Sequence, residues 1–236
     1  MQDDTARRDA ERAVISVARK IADEDNRTDV VLATLRTEKR VPVKCSLLRV
    51  LGGIANSKAL DTLATASRQT DPAVRDRAVR TLVRWPNASA AKILLAIYSD
   101  NQNQTHRLLA LRGFVRLLAM PATDRLEVES LELCRRAMNQ TRTTDEKKLV
   151  LSGLSTVAHP DALATSVPFL EIEAVRPEAA MTVMKIANAI GRTHPSKARA
   201  AIDKRLAVVQ TPHFREQAQE TIRRIEDAQE QPASDR

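Results

Sequence analysis

The chain has 236 residues, 43% of them hydrophobic and 29% charged, with 38 Lys and Arg against 30 Asp and Glu for a formal net charge of +8. That balance suits one or two globular domains, and a membrane-spanning helix is excluded because no apolar run approaches the roughly 18–20 residues it needs. Aromatic residues make up only 2%, which argues against the stacking platforms on which single-strand nucleic-acid binders rely.

The opening MQDDTARRDAER lacks the apolar middle of an export signal, so the protein is expected in the cytoplasm, with export only if it is a piece of a longer secreted protein. From there an apolar triplet with a spacing of three recurs along the chain. It reads Ile15, Ala18, Ile21; then Leu48, Leu51, Ile54; Val79, Leu82, Trp85; Leu111, Phe114, Leu117; Leu151, Leu154, Val157; and Met184, Ala187, Ile190. Each triplet marks one side of a helix. The last members are separated by 33, 31, 32, 40 and 33 residues, the signature of a stacked repeat.

After most triplets a short turn leads into a second amphipathic segment, as in IANSKAL (54–60) and VAHPDAL (157–163). The second helices are read from Leu60 and Leu63, from Ile93, Leu94 and Ile97, from Leu131 and Cys134, from Leu163 and Val167, and from Ile202, Leu206 and Val209. Nothing alternates with period two, so no strand is predicted. The spacing of 40 absorbs its extra residues around 120–130 and 139–146, at turns.

Punctuation fits this register. Pro42, Pro72, Pro160, Pro177, Pro195 and Pro212 stand at predicted helix starts, where a missing N–H costs nothing. Asp71 and Thr211 precede such prolines and can cap the helix, and Thr143 with Glu146 spells a capping box. Pro168 falls inside a helix drawn from 160 to 172, so a kink or break is expected there.

Units of this size cannot bury an apolar face alone, and stacking them makes a continuous core. The pattern D-P-A-V-R-x-R-A-V-R-x-L at 71–82 resembles HEAT repeats, over about residues 5 to 228 and most strongly from 42 to 119. The segment 84–118 is also similar to HEAT modules of large bacterial multidomain proteins. The resemblance implies an all-α fold, an α-α superhelix of about six helix pairs plus a terminal helix at 211–229. It would be a single repeat domain over 5–229 with polar, frayed ends at 1–4 and 230–236. It also implies a non-catalytic scaffold that binds a protein partner along the concave face made by the second helices, as a monomer and without a cofactor.

The sequence carries few motifs for chemistry. The five glycines form no phosphate-binding loop. GLSTV at 153–157 is one residue short of a nucleophile elbow, but it lies in a packing triplet with no strand before it. His106, His159, His194 and His213 are scattered, and surface or capping roles are expected of them; Cys45 and Cys134 are isolated and read as core thiols. Asp76 is expected to pair with Arg80 one turn on. Some HEAT-like enzymes excise damaged bases, but Trp85 stands in the core column, which leaves no aromatic cleft for that chemistry.

The sharpest candidates are arginines. The position after the first triplet member holds Arg49, Arg80 and Arg112, and the position before the last holds Arg84 and Arg116. Stacked repeats would align these into two basic stripes suited to a nucleic acid or another polyanion. The alternative is that they are solvated helix arginines whose heads pair with neighbouring acids.

Overall fold

A computed structural model of the chain describes residues 2–120, 126–208 and 212–230, without the side chains of 2–4, 213–214 and 228–230. Thirteen α-helices and no strand occur among them: α1 (Gln2–Ala18), α2 (Asp29–Thr37), α3 (Val41–Ile54), α4 (Ser57–Ala66), α5 (Pro72–Val83), α6 (Ala91–Asp100), α7 (Gln104–Leu118), α8 (Glu127–Asn139), α9 (Thr144–Leu154), α10 (Pro160–Ser166), α11 (Arg176–Ile190), α12 (Pro195–Val208) and α13 (Pro212–Glu230). The chain divides into two compact units, Met1–Met120 and Pro121–Arg236. Each is a stack of helix pairs, the all-α solenoid arrangement that the repeat implied.

In the first unit the helices that carry the triplets form one layer, α3 packing on α1, α5 on α3 and α7 on α5. The intervening helices form the other: α2 lies on α3, α4 on both α3 and α5, and α6 on α7. The triplets are the core of the first layer. Leu48, Leu51, Val79, Leu82, Leu111, Phe114 and Leu117 have no exposed surface, and Trp85 has 1%. Each such leucine contributes roughly 1.5–3 kcal/mol by leaving water. Trp85 packs where the other repeats place aliphatics, and its indole N–H reaches Ser89 Oγ at 2.9 Å and Asn87 Oδ1 at 3.1 Å.

The N-terminal copy departs from the pattern. α1 ends at Ala18, so Ile21 lies outside the helix and is 40% exposed. A turn carries the chain on to α2, which the triplet spacing did not reveal. Asn56 ties that turn down. Its amide N–H donates to Glu24 O at 2.8 Å, while its Oδ1 accepts from Ala59 N at 3.0 Å and caps α4.

All six prolines expected at helix starts stand at the first or second position of a helix. Asp71 caps α5 by accepting from Ala73 N at 2.9 Å and Val74 N at 3.0 Å. Thr143 Oγ1 accepts from Glu146 N at 3.2 Å, and the Glu146 carboxylate reaches back to Arg142 N, one residue earlier than a standard box. The Thr211 cap, Val209, the 121–125 part of the insertion and the tail at 231–236 lie outside the described residues, as do the side chains of His213 and Phe214.

In the second unit α9, α11 and α13 pack in succession, with α8 on α9, α10 between α9 and α11, and α12 between α11 and α13. Leu151, Leu154, Val157, Ala187 and Ile190 are buried as the register requires. The helix drawn over 160–172 breaks where Pro168 predicted it would: α10 stops at Ser166 and Val167–Glu171 tightens into a 3₁₀ turn. Val167 therefore stands outside α10.

Candidate functional site

The five arginines of the proposed stripes all lie in the first unit, on α3, α5 and α7 or, for Arg84, just past the end of α5, but their heads go to different places. Arg49 of α3 holds Glu11 of α1 through two oxygens, with Nε at 2.9 and 3.0 Å, and its Nη2 donates to Ser46 Oγ at 2.8 Å. Burial pushes the Glu11 carboxyl up, but hydrogen bonds from Arg49 and Ser46 outweigh that and leave it below its ordinary value. Arg80 pairs with Asp76, Nε to the carboxylate at 2.9 and 3.0 Å, as the i, i+4 spacing predicted. Arg116 donates from Nη2 to Val83 O at 2.9 Å and Trp85 O at 2.7 Å, covering one carbonyl at the end of α5 and one just past it.

Arg84 and Arg112 are exposed, and neither has a side-chain hydrogen bond or ion pair among the described residues. The alignment seen in the sequence is thus an alignment of positions. Three of the five guanidinium groups are engaged within the chain: Arg49 by a neighbouring helix, Arg80 by an acid one turn back on α5, and Arg116 by carbonyls at the end of α5.

The opposite layer has more shape. Two clefts open in the first unit at the C-terminal ends of the second helices, beside the turns that lead back to the triplet helices. One, of about 430 Å³, lies among α2, α3, α4 and the start of α5. Its floor is Leu48, Ala66 and Val74, all buried, and its rim carries Arg36, Lys44, Asp61 and Gln69. The other, of about 670 Å³, lies one repeat on, between the ends of α4 and α6. Ala96 and Ile97 line it, with Arg68, Arg75, Asp100 and Gln102 around them.

Both clefts have apolar residues at the base with two cations and one carboxylate at the edge; one side-chain amide, Gln69, joins them in the first and three, Asn101, Gln102 and Asn103, in the second. Arg36, Lys44 and Arg68 have no ion-pair partner among the described residues; Arg75 reaches only Gln69 O, at 3.3 Å. Repeat-column reasoning missed these residues because they lie outside the triplet positions, Arg36, Lys44 and Arg75 near helix ends and Arg68 in the turn after α4. A charge count by halves would have flagged the region: residues 1–120 hold 21 Lys and Arg against 13 Asp and Glu, a net +8, whereas residues 121–236 hold 17 of each.

The residues considered for chemistry are structural. Ser155 of GLSTV caps α9, its hydroxyl donating to Ser152 O at 2.7 Å. His159 caps α10, Nδ1 accepting from Asp161 N at 3.1 Å, and His194 lies 3.0 Å from Thr193 Oγ1 just before α12. His106 departs from the expected surface role: it is 4% exposed, with Nε2 3.2 Å from Asp76 Oδ1. Cys134 is buried, whereas Cys45 is half-buried, and neither forms a disulfide among the described residues. Among the described residues no group of three or more His, Cys, Asp or Glu could hold a metal ion, and no helix is long and apolar enough to cross a membrane.

Comparison with known proteins gives the repeat its family. Residues 28–114 match the model of HEAT repeats. No curated protein matches the sequence. Among solved structures, a chain of the complex of CpcE and CpcF of phycocyanin lyase from Nostoc sp. PCC7120 is similar at 15% identity, over 92% of this chain and 88% of that one, with a TM-score of 0.36. Residues 28–114, set in stacked helix pairs with the triplets at their core, are thus a run of HEAT repeats.

Proposed function

We propose that this protein is a non-catalytic interaction scaffold that binds a protein partner along the face made by its second helices. The observation that carries the reading is the pair of clefts between successive second helices of the first unit, one floored by buried Leu48, Ala66 and Val74 and the other by buried Ile97 and half-buried Ala96, each with a polar rim. The physical basis is a preformed surface. Stacked helices fix their side chains before any partner arrives, so little ordering entropy is lost on binding.

A photo-reactive side chain placed at Thr62 or Ala96, inside the clefts, should form adducts with the partner in cells. The same group at Arg84 or Arg112 should form none. Adducts from Arg84 and Arg112 alone would overturn the reading.

A second reading, polyanion binding, draws on the net +8 of the first unit and on the exposed heads of Arg84 and Arg112, which have no side-chain partner among the described residues. It expects binding of duplex DNA that falls steeply with salt and with charge reversal at Arg84 and Arg112. Absence of a shift on a low-salt gel would remove it.

A further inference from the structure

We infer that the partner presents an extended, acidic protein segment, whose carboxylates meet the rim cations of the two clefts while its apolar side chains enter them. This rests on the scaffold reading and specifies the chemistry of the occupant. The first support is charge. Residues 28–114, which span both clefts, hold 14 Lys and Arg against 6 Asp and Glu, whereas the second unit is balanced at 17 of each. The positive field therefore belongs to the unit that bears the clefts, and such a field steers and selects acidic partners.

The second support is local. Arg36 and Lys44 edge one cleft and Arg68 the other, with no internal ion pair among the described residues, whereas Arg49, Arg80 and Arg116 on the triplet helices are engaged by the protein itself. The cations free to meet a carboxylate beside an apolar floor are those of the clefts.

The occupant is a peptide rather than a nucleic acid because each rim also holds a carboxylate, Asp61 in one cleft and Asp100 in the other. A phosphate chain carries charge at every step and cannot avoid them. A peptide places its acids where the cations are and neutral side chains elsewhere. Among the described residues of the first unit no aromatic side chain is exposed for stacking, since Trp85, Tyr98 and Phe114 are buried. Successive repeats are separated by about 8–10 Å between packed helices, which an extended chain covers in about three residues, so acidic residues at about that interval would engage both clefts.

The test is to pan a displayed library of random dodecamers on the full chain and measure the enriched peptides by fluorescence anisotropy. Enriched sequences should carry net negative charge with interspersed apolar residues. Their affinity should fall about tenfold or more in the doubly reversed Arg36→Glu, Arg68→Glu protein, fall less in Arg36→Gln, Arg68→Gln, and hold in Arg84→Glu, Arg112→Glu. Circular dichroism checks that each variant folds.

Neutral or basic peptides that nonetheless depend on Arg36 and Arg68 would overturn the acidic partner and leave the second-helix face as the binding surface. Peptides that depend only on Arg84 and Arg112 would overturn both, as would duplex DNA that displaces every enriched peptide and loses binding with the same two arginines. Failure to enrich any acidic sequence overturns the inference as well.

Discussion

The Nε2 of His106, at the start of α7, lies 3.2 Å from Oδ1 of Asp76 on α5, and the same carboxylate accepts from Arg80 Nε. One carboxylate thus links two successive repeats and anchors an arginine of the sequence-predicted stripe. Burial pushes the Asp76 carboxyl up, but the hydrogen bonds from Arg80 and His106, with their charges, outweigh it and leave the group below its ordinary value.

A depressed carboxyl adds stability that is present above its unfolded value near 3.9 and is lost as pH falls through the lower folded value. Urea unfolding followed from pH 6 down to pH 2.5 should therefore show a steeper acid-side loss in the native protein than in Asp76→Asn. Equal slopes would mean that the link contributes nothing to acid stability.

Ala55 closes α3 at φ 62°, ψ 43°, and it is the one non-glycine residue with positive φ among the described residues. A left-handed alanine costs roughly 1–2 kcal/mol in sterics, against about 0.5–1 kcal/mol of extra unfolded-state entropy for glycine. Ala55→Gly is therefore expected to stabilise the chain by about 0.5 kcal/mol or more, read as a rise in Tm. A fall in Tm would show that the Ala55 methyl makes contacts worth more than the strain.

Trp85 tests whether the column is core or site. It is 1% exposed and its N–H is satisfied within the chain. Trp85→Ala should cost about 3–5 kcal/mol, whereas Trp85→Phe keeps most of the apolar volume, loses the bonds to Ser89 and Asn87, and should cost less. Were both variants to leave stability unchanged, Trp85 would have to be held for some other purpose.

The parts of the fold that could be read in advance are those that repeat. Val79, Leu82 and Trp85 became intelligible once Leu48, Leu51 and Ile54 stood at the same spacing, and the prolines marked helix starts because their lost N–H groups have no partner there. α2 escaped because it is 9 residues long with only Val31 fully buried, so its periodic signal is slight. Burial of His106 depends on an acid 30 residues away in sequence. The clefts depend on which helix ends lie side by side, which the order of elements alone does not specify. The stripe was visible as a column, but where a guanidinium ends is decided by what happens to lie within its reach.

That difference gives the last prediction. Arg49 and Arg116 are engaged by Glu11 and by the carbonyls of Val83 and Trp85, so removing either head leaves a partly buried acceptor unsatisfied. Arg49→Ala and Arg116→Ala are expected to destabilise by about 1–3 kcal/mol each, measured from urea midpoints at neutral pH. Arg112, exposed and without a side-chain partner among the described residues, should cost within about 0.5 kcal/mol as Arg112→Ala. If the two positions cost the same, the stripe does not divide into structural and solvated members. If they differ as expected, any loss of DNA binding in Arg112→Ala reports on contact rather than on folding.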